Sequence, residues 1–489
     1  MQPKYRIDHG RVWAEPREIP VAGEFDVLVA GGGPSGMGAA VGAARQGAKT
    51  LLIERNGFLG GVATATMMTT LNCPIENMSG FAHDFVSHLI EAGGAWPGAT
   101  IPFDPEKWKD LAFDEMEKAG VDLLLYTWVT GAIVEDGKAK GVIVENKSGR
   151  QALLAKVIVD CTGDADVAVR AGAEHVKGRE RDGKMRPMTV LFRMGGVDLP
   201  TLVEYARTHP DEFTTDPSFQ ILDLEGGIVR LSGFFKHVGE AGARGELAKE
   251  ITYMRFEGVN VAQGTVFVNT TRVYGVDGTN AWDLTKAELE SRRQMRQLIP
   301  FIQNYIPGCQ NAYAIDASSN IGVRETRRIR GGHVLTEEDI VAHKTYEDTV
   351  GKIWRFHAAG ADWHSPDGGE GSPDNPTYRT AVTPLNWYEI PYRVFVPNGV
   401  EGILVAGRTL SQTQEADMWT RGMFVCLNTG QMAGTAGAFA AAAGVTPREV
   451  DVPQLQANLF DQGLDLGSRA PTIQAIPRPT PQRARQQHQ

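Results

Sequence analysis

VLVAGGGPSGMGAAVGAARQGAKTLLIER, residues 27–55, reads as a buried strand, a glycine turn, a helix of small residues and a second strand ending in an acid. Gly31, Gly33 and Gly36 match the spacing G-x-G-x-x-G, and Ala40 supplies a small residue four positions on. Gly31 permits the tight turn, and Gly33 lets the backbone approach a pyrophosphate. Gly36 lets the helix lie close to the sheet, with the helix N-terminus facing the anion. Glu54 closes the second strand 18 residues after Gly36, where a carboxylate binds a ribose hydroxyl pair and repels a 2′-phosphate. The unit points to a dinucleotide. NAD and FAD proteins both use it, so by itself it does not choose between them.

The chain of 489 residues is long enough for two domains and a large core. With 42% hydrophobic and 22% charged residues its composition is ordinary for a globular protein. A formal net charge of −10 without any sustained Lys/Arg block argues against nucleic acid or an anionic membrane as the main partner. Cys73, Cys161, Cys309 and Cys426 are scattered, with no CxxC and no Cys/His cluster. They read as single buried thiols, so neither a metal site nor a redox disulfide is expected. The polar N-terminus has no secretory h-region, and no run approaches the roughly 18 apolar residues of a membrane span. A cytoplasmic location without a membrane span is the expectation.

Residues 1–24 read as a lead-in arm. Helices are predicted over His83–Ala92 and Pro105–Ala119, followed by a strand over 121–129. The β-branched runs of 133–163, broken by Asp136-Gly137 and Ser148-Gly149, predict an antiparallel meander ending in KVIVDCTGD. From about 170 to 390 the αβ alternation disappears. Mixed strands are predicted there at 189–194 and 264–273, a helix near Thr285–Leu298, and a long Gly/Pro/Asp-rich loop over 357–379. The first character returns near 390: residues 392–408 read as strand, turn and buried strand, and 428–444 as a Gly/Ala-rich helix. The Pro/Gln/Arg tail from about 470 is expected to be disordered.

Three further segments bear on the cofactor. ERNGFLGGVAT (54–64) places Gly60-Gly61 shortly after the acid, and such a pair permits a backbone turn against cofactor phosphates or a flavin ring. NAD domains have no regular need for it. DCTGD (160–164) closes the meander, and ILVAGR (403–408) precedes the late small-residue helix. With the glycine turn and its acid, these segments resemble the glutathione-reductase-type FAD proteins. More narrowly, GGVAT (60–64), GVRETRRI (322–329), YEIPYR (388–393) and ILVAGR (403–408) resemble stretches shared by an FAD-dependent oxidoreductase family, over roughly residues 25–445.

The resemblance implies FAD as cofactor and an α/β fold: a three-layer FAD/NAD(P)-binding, Rossmann-like domain with a β-meander, plus an inserted mixed α+β substrate domain. The implied division is 25–190 for the first part of the FAD domain, 191–390 for the substrate or cap domain, 391–450 for the second part, and 451–489 for a C-terminal extension with a disordered tail. It also implies that Gly31, Gly33, Pro34, Ser35 and Gly36 hold the pyrophosphate. Glu54 would bind the adenosine ribose and Arg55 flank the adenine. Gly60, Gly61 and Val62 would pass near the phosphates and isoalloxazine. Val129 would offer backbone to the adenine, with Thr162 and Gly163 closing that side, and Gly407 and Arg408 would approach the ribityl chain. The turn from Arg421 through Gly422, Met423, Phe424 and Val425 would aim backbone N–H groups at flavin N1/O2, favouring negative charge on the reduced ring. A second GxGxxG and a flavin-side CxxxxC are both missing from the sequence. A separate NAD(P)H domain and dithiol chemistry are therefore not expected.

Hydride transfer to flavin N5 from an alcohol or amine needs a base for the second proton. His357 and His364, in HAAGADWHS, are candidates and also read as solvated loop imidazoles. His333, in RGGHVLTEED, reads as readily as structural. GVRETRRIRGGH gathers Arg324, Arg327, Arg328 and Arg330 around Glu325, either as a salt-bridged strand face or with Arg324 or Arg327 facing the flavin or an anionic substrate group. Arg421, Tyr392 and Arg393 are further candidates, and Trp354, Trp363, Trp387 and Trp419 read mostly as core, with at least one expected to line the pocket. The expected function is oxidation of a C–OH or C–N centre in a small polar metabolite by hydride transfer to N5. The electron acceptor is unassigned and a homo-oligomer is left open. A monooxygenase (hydroxylase) or ene-reductase is the alternative. A non-catalytic flavin-binding protein and an NAD-only dehydrogenase are the more distant ones.

Overall fold

The computed structural model describes residues 5–14, 18–214, 220–259, 264–354, 366–367 and 387–473. The opening unit forms as read: β1 (Val21–Ala30), α1 (Pro34–Ala44) and β2 (Thr50–Ile53). Residues 27–30 are buried on both faces, as a central parallel strand requires. Helices α2 (Gly80–Glu91) and α3 (Pro105–Ala119) follow. Asp104 caps α3 by accepting from the N–H groups of Glu106 and Lys107, and Gly120 ends it in the left-handed region. Next come β3 (Asp122–Leu124), β4 (Trp128–Glu135), β5 (Lys138–Asn146) and β6 (Gly149–Asp160).

The second region contains β7 (Phe192–Gly195), β8 (Gln220–Asp223), β9 (Ile228–Gly233), β10 (Met254–Val259), β11 (Val266–Val268), α4 (Ala281–Tyr305) and β12 (Tyr313–Ala317). The chain then returns through β13 (Ile403–Val405), α5 (Gln414–Thr420) and α6 (Met423–Ala443).

The first sheet runs β3-β2-β1-β6-β5-β4, with β13 also against β6. Strand β6 serves two purposes. Gly149–Leu154 pair antiparallel with β5, whereas Ile158–Asp160 pair parallel with β13 on one side and β1 on the other. The register sets Ile53, Ala30, Asp160 and Val405 side by side. The turns that follow all four strands therefore open at one edge of the sheet, where doubly wound folds bind ligands. Behind that edge α1 and α6 cross with their backbones almost touching: a Cβ on Gly38 would lie 1.9 Å from the Leu427 carbonyl oxygen, and one on Gly434 1.9 Å from that of Ala39.

The second sheet is antiparallel, in the order β8-β9-β10-β11-β7-β12. Val229, Leu231, Met254, Phe256, Val266 and Val268 point into a core shared with Leu298 and Ile302 of α4. The alternate residues Arg230, Ser232, Arg255 and Glu257 are buried as well, yet polar. They abut the segment after β2: Arg230 donates to Asn72 Oδ1 at 2.7 Å, and Thr70 Oγ1 donates to Glu257 Oε2 at 3.0 Å.

Several expectations need correction. Residues 121–129 do not form one strand: Tyr126, with φ 52°, turns the chain between β3 and β4 so that it can leave the parallel edge and enter the meander. The strand expected over 264–273 stops at Val268, because Thr271 Oγ1 and carbonyl groups take over the hydrogen bonds of Thr189 and Val190. For the same reason β7 starts at Phe192 rather than 189. The late strand is Trp387–Pro391, and Tyr392–Val394 is a 3-10 turn. Helix α4 outruns 285–298 at both ends, with Asn280 as its cap. Helix α6 begins five residues before 428, so Met423, Phe424 and Val425 form its first turn and not a turn preceding it. The lead-in arm carries a hairpin, Tyr5–Asp8 with Arg11–Ala14, and β1 begins at Val21. His357, His364, Trp363, nearly all of the 357–379 loop and the tail after 473 lie outside the described residues.

Candidate active site

The glycines divide by what surrounds them. Gly31 has φ 100° and a Cβ there would sit 2.5 Å from the Cys161 carbonyl oxygen, while one on Gly36 would sit 1.7 Å from that of Gly31. Both are demanded by the fold. Gly33 differs: φ is −71°, and its nearest foreign atom would be Gly61 Cα at 3.9 Å. That space is open, and Gly33 lines a cleft at the open sheet edge.

Glu54 is buried beside it. Its Oε2 accepts from the Gly32 N–H at 2.7 Å and its Oε1 from the backbone and side-chain amides of Asn56, each at 2.8 Å. The carboxylate is thus fixed, with one lone-pair site, on Oε2, left over for a hydroxyl. The Arg55 guanidinium lies 5.2 Å above the Trp128 ring, which is 57% exposed.

The DCTGD turn is built on Asp160. Fully buried, it accepts from Thr162 N–H (3.0 Å) and Oγ1 (2.7 Å) and from the N–H groups of Val167 (2.9 Å) and Ala168 (2.8 Å). Burial pushes its pKa up against these hydrogen bonds; its work is to shape Thr162 and Gly163. Arg408 pairs with Asp164 at 3.0 Å and donates to the Val323 carbonyl, tying the turn after β13 to the 320–324 segment.

Of the residues proposed from sequence, Gly31, Gly33, Pro34, Ser35, Glu54, Arg55, Gly61, Val62, Val129, Thr162, Gly163, Arg324, Arg408 and Arg421 line this one cleft. Gly36, Gly60, Gly407, Gly422, Met423, Phe424 and Val425 stand behind its wall. Gly60 backs onto Trp108, Gly407 onto Ser35, Gly422 caps α6, and the side chains of Met423, Phe424 and Val425 are buried. Arg421 and Cys426 on either side of that first turn do line the cleft, so the positive end of the α6 dipole faces it.

The GVRETRRI stretch splits between its two readings. Arg327 pairs with Asp166 at 2.6 Å and Arg328 with Glu180 at 3.2 Å, while Glu325 takes Arg186 at 2.9 Å. Arg324 alone of these lines the cleft, donating to Thr189 Oγ1 at 2.8 Å and to the Pro187 carbonyl. His333 is held by Asp339 at 3.1 Å, Arg393 by Asp348 at 2.8 Å, and Tyr392 donates to the Pro447 carbonyl at 2.6 Å, all outside the cleft lining.

Sequence reasoning missed Trp128, Thr189, Asn269 and Asn320, which also line it. Asn269 carries the clearest chemical signal. It is 2% exposed, its Nδ2 faces Met68 Sδ at 3.6 Å, and its Oδ1 has no hydrogen-bond partner. A thioether only accepts, so the amide nitrogen belongs on that side and the oxygen on the other.

All four cysteines are free and buried. Burial raises the thiol pKa values of the two in the wall, Cys161 and Cys426, the latter to about 12, so both stay protonated. Among the described residues no group of three or more His, Cys, Asp or Glu could hold a metal, and no helix is long and apolar enough to cross a membrane. The donor set fits FAD: a glycine cradle at a helix N-terminus, a fixed carboxylate beside it, an exposed indole with a guanidinium, and two cations on the late elements.

Thiamine thiazole synthase of Methanococcus aeolicus is 32% identical over 159 residues, 30% of this chain and 57% of that protein. Digeranylgeranylglycerophospholipid reductase of Methanocella arvoryzae is 30% identical over 156 residues, 29% and 39% of the two chains. The chain thus matches less than two thirds of either relative. Among solved structures, a geranylgeranyl bacteriochlorophyll reductase-like protein of Thermoplasma acidophilum superposes with a TM-score of 0.44 at 15% identity, over 90% of this chain and 82% of that one. The model of the FAD dependent oxidoreductase family matches residues 26–459, from within β1 to beyond α6, so the chain belongs to that family and FAD is its cofactor.

Proposed function

We propose that the enzyme oxidises a C–OH or C–N centre of a small polar metabolite bound between the glycine-turn side of the cleft and the wall built by Thr189, Asn269 and residues 320–324. The observation that carries this reading is that Asn269 and Arg324, two polar groups of that wall, line the same cleft as the glycine turn and could orient a polar substrate there. Arg324, fixed by Thr189 and Pro187, adds a cation suited to a carboxylate.

The residues that would hold FAD are the Gly31–Ser35 turn at the pyrophosphate, Glu54 at the ribose, Arg55, Trp128 and Val129 at the adenine, and Arg408 and Arg421 towards the flavin. When bound, FAD supplies a hydride acceptor at N5. On the protein's side, Arg324 and Asn269 orient the substrate, and Leu191, Ile321 and Val323 keep that part of the cleft apolar and exclude water. His357 and His364 are the proposed acceptors of the second proton.

Anaerobic titration with 2-hydroxy acids, amino acids and simple alcohols and amines tests the reading: one class should bleach the oxidised flavin. One relative is named a digeranylgeranylglycerophospholipid reductase, so ene-reduction is the alternative. Reoxidation of the reduced enzyme by an unsaturated isoprenoid, with no bleaching by any of the panel, would establish it. NADH consumption coupled to O2 uptake and raised by an aromatic compound would mark a hydroxylase instead.

A further inference from the structure

Arg421 is the cleft-facing end of a buried charge cluster. Behind it, one helical turn earlier on α5, the fully buried Asp417 places Oδ2 3.9 Å from Arg421 Nε and 3.2 Å from Arg186 Nη1. Asp417 Oδ1 accepts from Gln412 Nε2 at 3.3 Å. Arg186 in turn pairs with Glu325 at 2.9 Å, and Arg328 lies 3.6 Å from the same carboxylate. Three guanidiniums therefore share two buried carboxylates, and of the five groups Arg421 is the one that lines the cleft. Burying a carboxylate costs several kcal/mol before its partners offset it. Placed here, it sets how much positive charge Arg421 presents.

We propose that Asp417 is a positioning residue that acts on the flavin through Arg421: its carboxylate, 3.9 Å from Arg421 Nε, offsets the guanidinium's charge, so that neutral Asp417 leaves Arg421 a stronger cation towards the reduced ring. This rests on the reading above that the flavin end of FAD lies beside Arg421. The groups facing Asp417 are Arg186 from the segment before β7, Glu325 and Arg328 from the GVRETRRI stretch, the neutral Gln412, and Arg421 on its own helix. Desolvation pushes the Asp417 pKa up to about 6, against the pull of Arg186 and Arg421 and with the push of Glu325. Its charge thus changes within a pH range that a cell and an assay both visit.

The test uses the FAD-loaded enzyme and reads the flavin midpoint potential by dye-coupled reductive titration from pH 5 to 8. Asp417→Asn is expected to raise the potential at pH 7.5, so that the reduced-to-oxidised ratio at a fixed poise increases about tenfold, ~1.4 kcal/mol. In an Arg421→Gln background the same change should do nothing, since a residue acting through another loses its effect when that partner is gone. A D417N shift of equal size in both backgrounds, or none in either, overturns the proposal. An R421Q potential equal to that of the wild type instead overturns the placement of the flavin beside Arg421. Should D417N fail to fold, wild type against R421Q decides. The wild-type potential should show an extra rise as pH falls through about 6. That rise should vanish in R421Q, and its persistence there refutes the coupling.

Discussion

Gly33→Ala separates what the fold needs from what the cofactor needs. With φ −71° and ψ −176° the position suits any L residue, and the added methyl would have Gly61 Cα at 3.9 Å as its nearest neighbour. Two small effects oppose each other: alanine lowers unfolded-chain entropy, stabilising by about 0.4–1 kcal/mol, and is a poorer helix N-cap than glycine by a similar amount. The apoprotein should therefore melt within about 2–4 °C of the wild type, the shift that 1 kcal/mol gives in a sizeable domain. The holoenzyme is another matter. The methyl occupies the space through which the backbone reaches the pyrophosphate, and overfilling a packed contact costs about 1–3 kcal/mol. FAD affinity should fall by about 5- to 150-fold, taking 1.4 kcal/mol per factor of ten. Fluorescence titration of apoprotein with FAD, paired with thermal melts of the apo form, measures both. Unchanged FAD affinity, or an apoprotein destabilised as much as its binding is weakened, would refute the assignment of that space to the cofactor.

Gly434→Ala should do the reverse, since its Cβ would fall 1.9 Å from the Ala39 carbonyl oxygen where α1 and α6 cross; we expect a loss of about 3 kcal/mol or more in denaturant unfolding of the apoprotein. Glu54→Gln replaces one acceptor with an amide facing the Gly32 or Asn56 donors, which should weaken FAD binding, measured by calorimetry, by about 1–3 kcal/mol. Asp417 also gives the folded state a pH signature. Its folded pKa of about 6 stands above the ordinary aspartate value of 3.8, so the native state holds the extra proton between the two. Its contribution to stability is then fully present below the lower value and is lost as pH rises through the upper one. Chemical denaturation at acid and neutral pH should show D417N gaining on the wild type as pH rises, and a constant difference would contradict the shift. His333→Asn should leave turnover with the bleaching substrate unchanged, because His333 is bound to Asp339 away from the cleft.

What could be read from sequence was local. Strand β1, the glycine turn, α1 and β2 follow from spacing within thirty residues, and α3 follows from apolar residues at helical spacing with Gly120 as its stop. Helix α6 shows where such signals stop. Buried along nearly its whole length, it has no polar stripe to mark its face or its start, and its five-residue N-terminal extension places apolar side chains where a turn was expected. The wall built by Thr189, Asn269 and residues 320–324 was legible only at Arg324, through GVRETRRI; the rest meets only after folding, as where Asn269 faces Met68 across 201 positions. A physical criterion identifies these residues once the fold is known. Gly31, Gly36 and Gly434 are explained by contacts inside the protein and need no ligand to account for them. Gly33, whose missing side chain leaves open space, Asn269, whose buried oxygen has no partner, and Trp128, whose ring stays exposed in a cleft, are not explained that way. Open glycines, unpaired buried atoms and exposed rings occur elsewhere in the protein too; what sets these three apart is that all of them line one cleft, which makes them the first positions to substitute when ligand binding is tested.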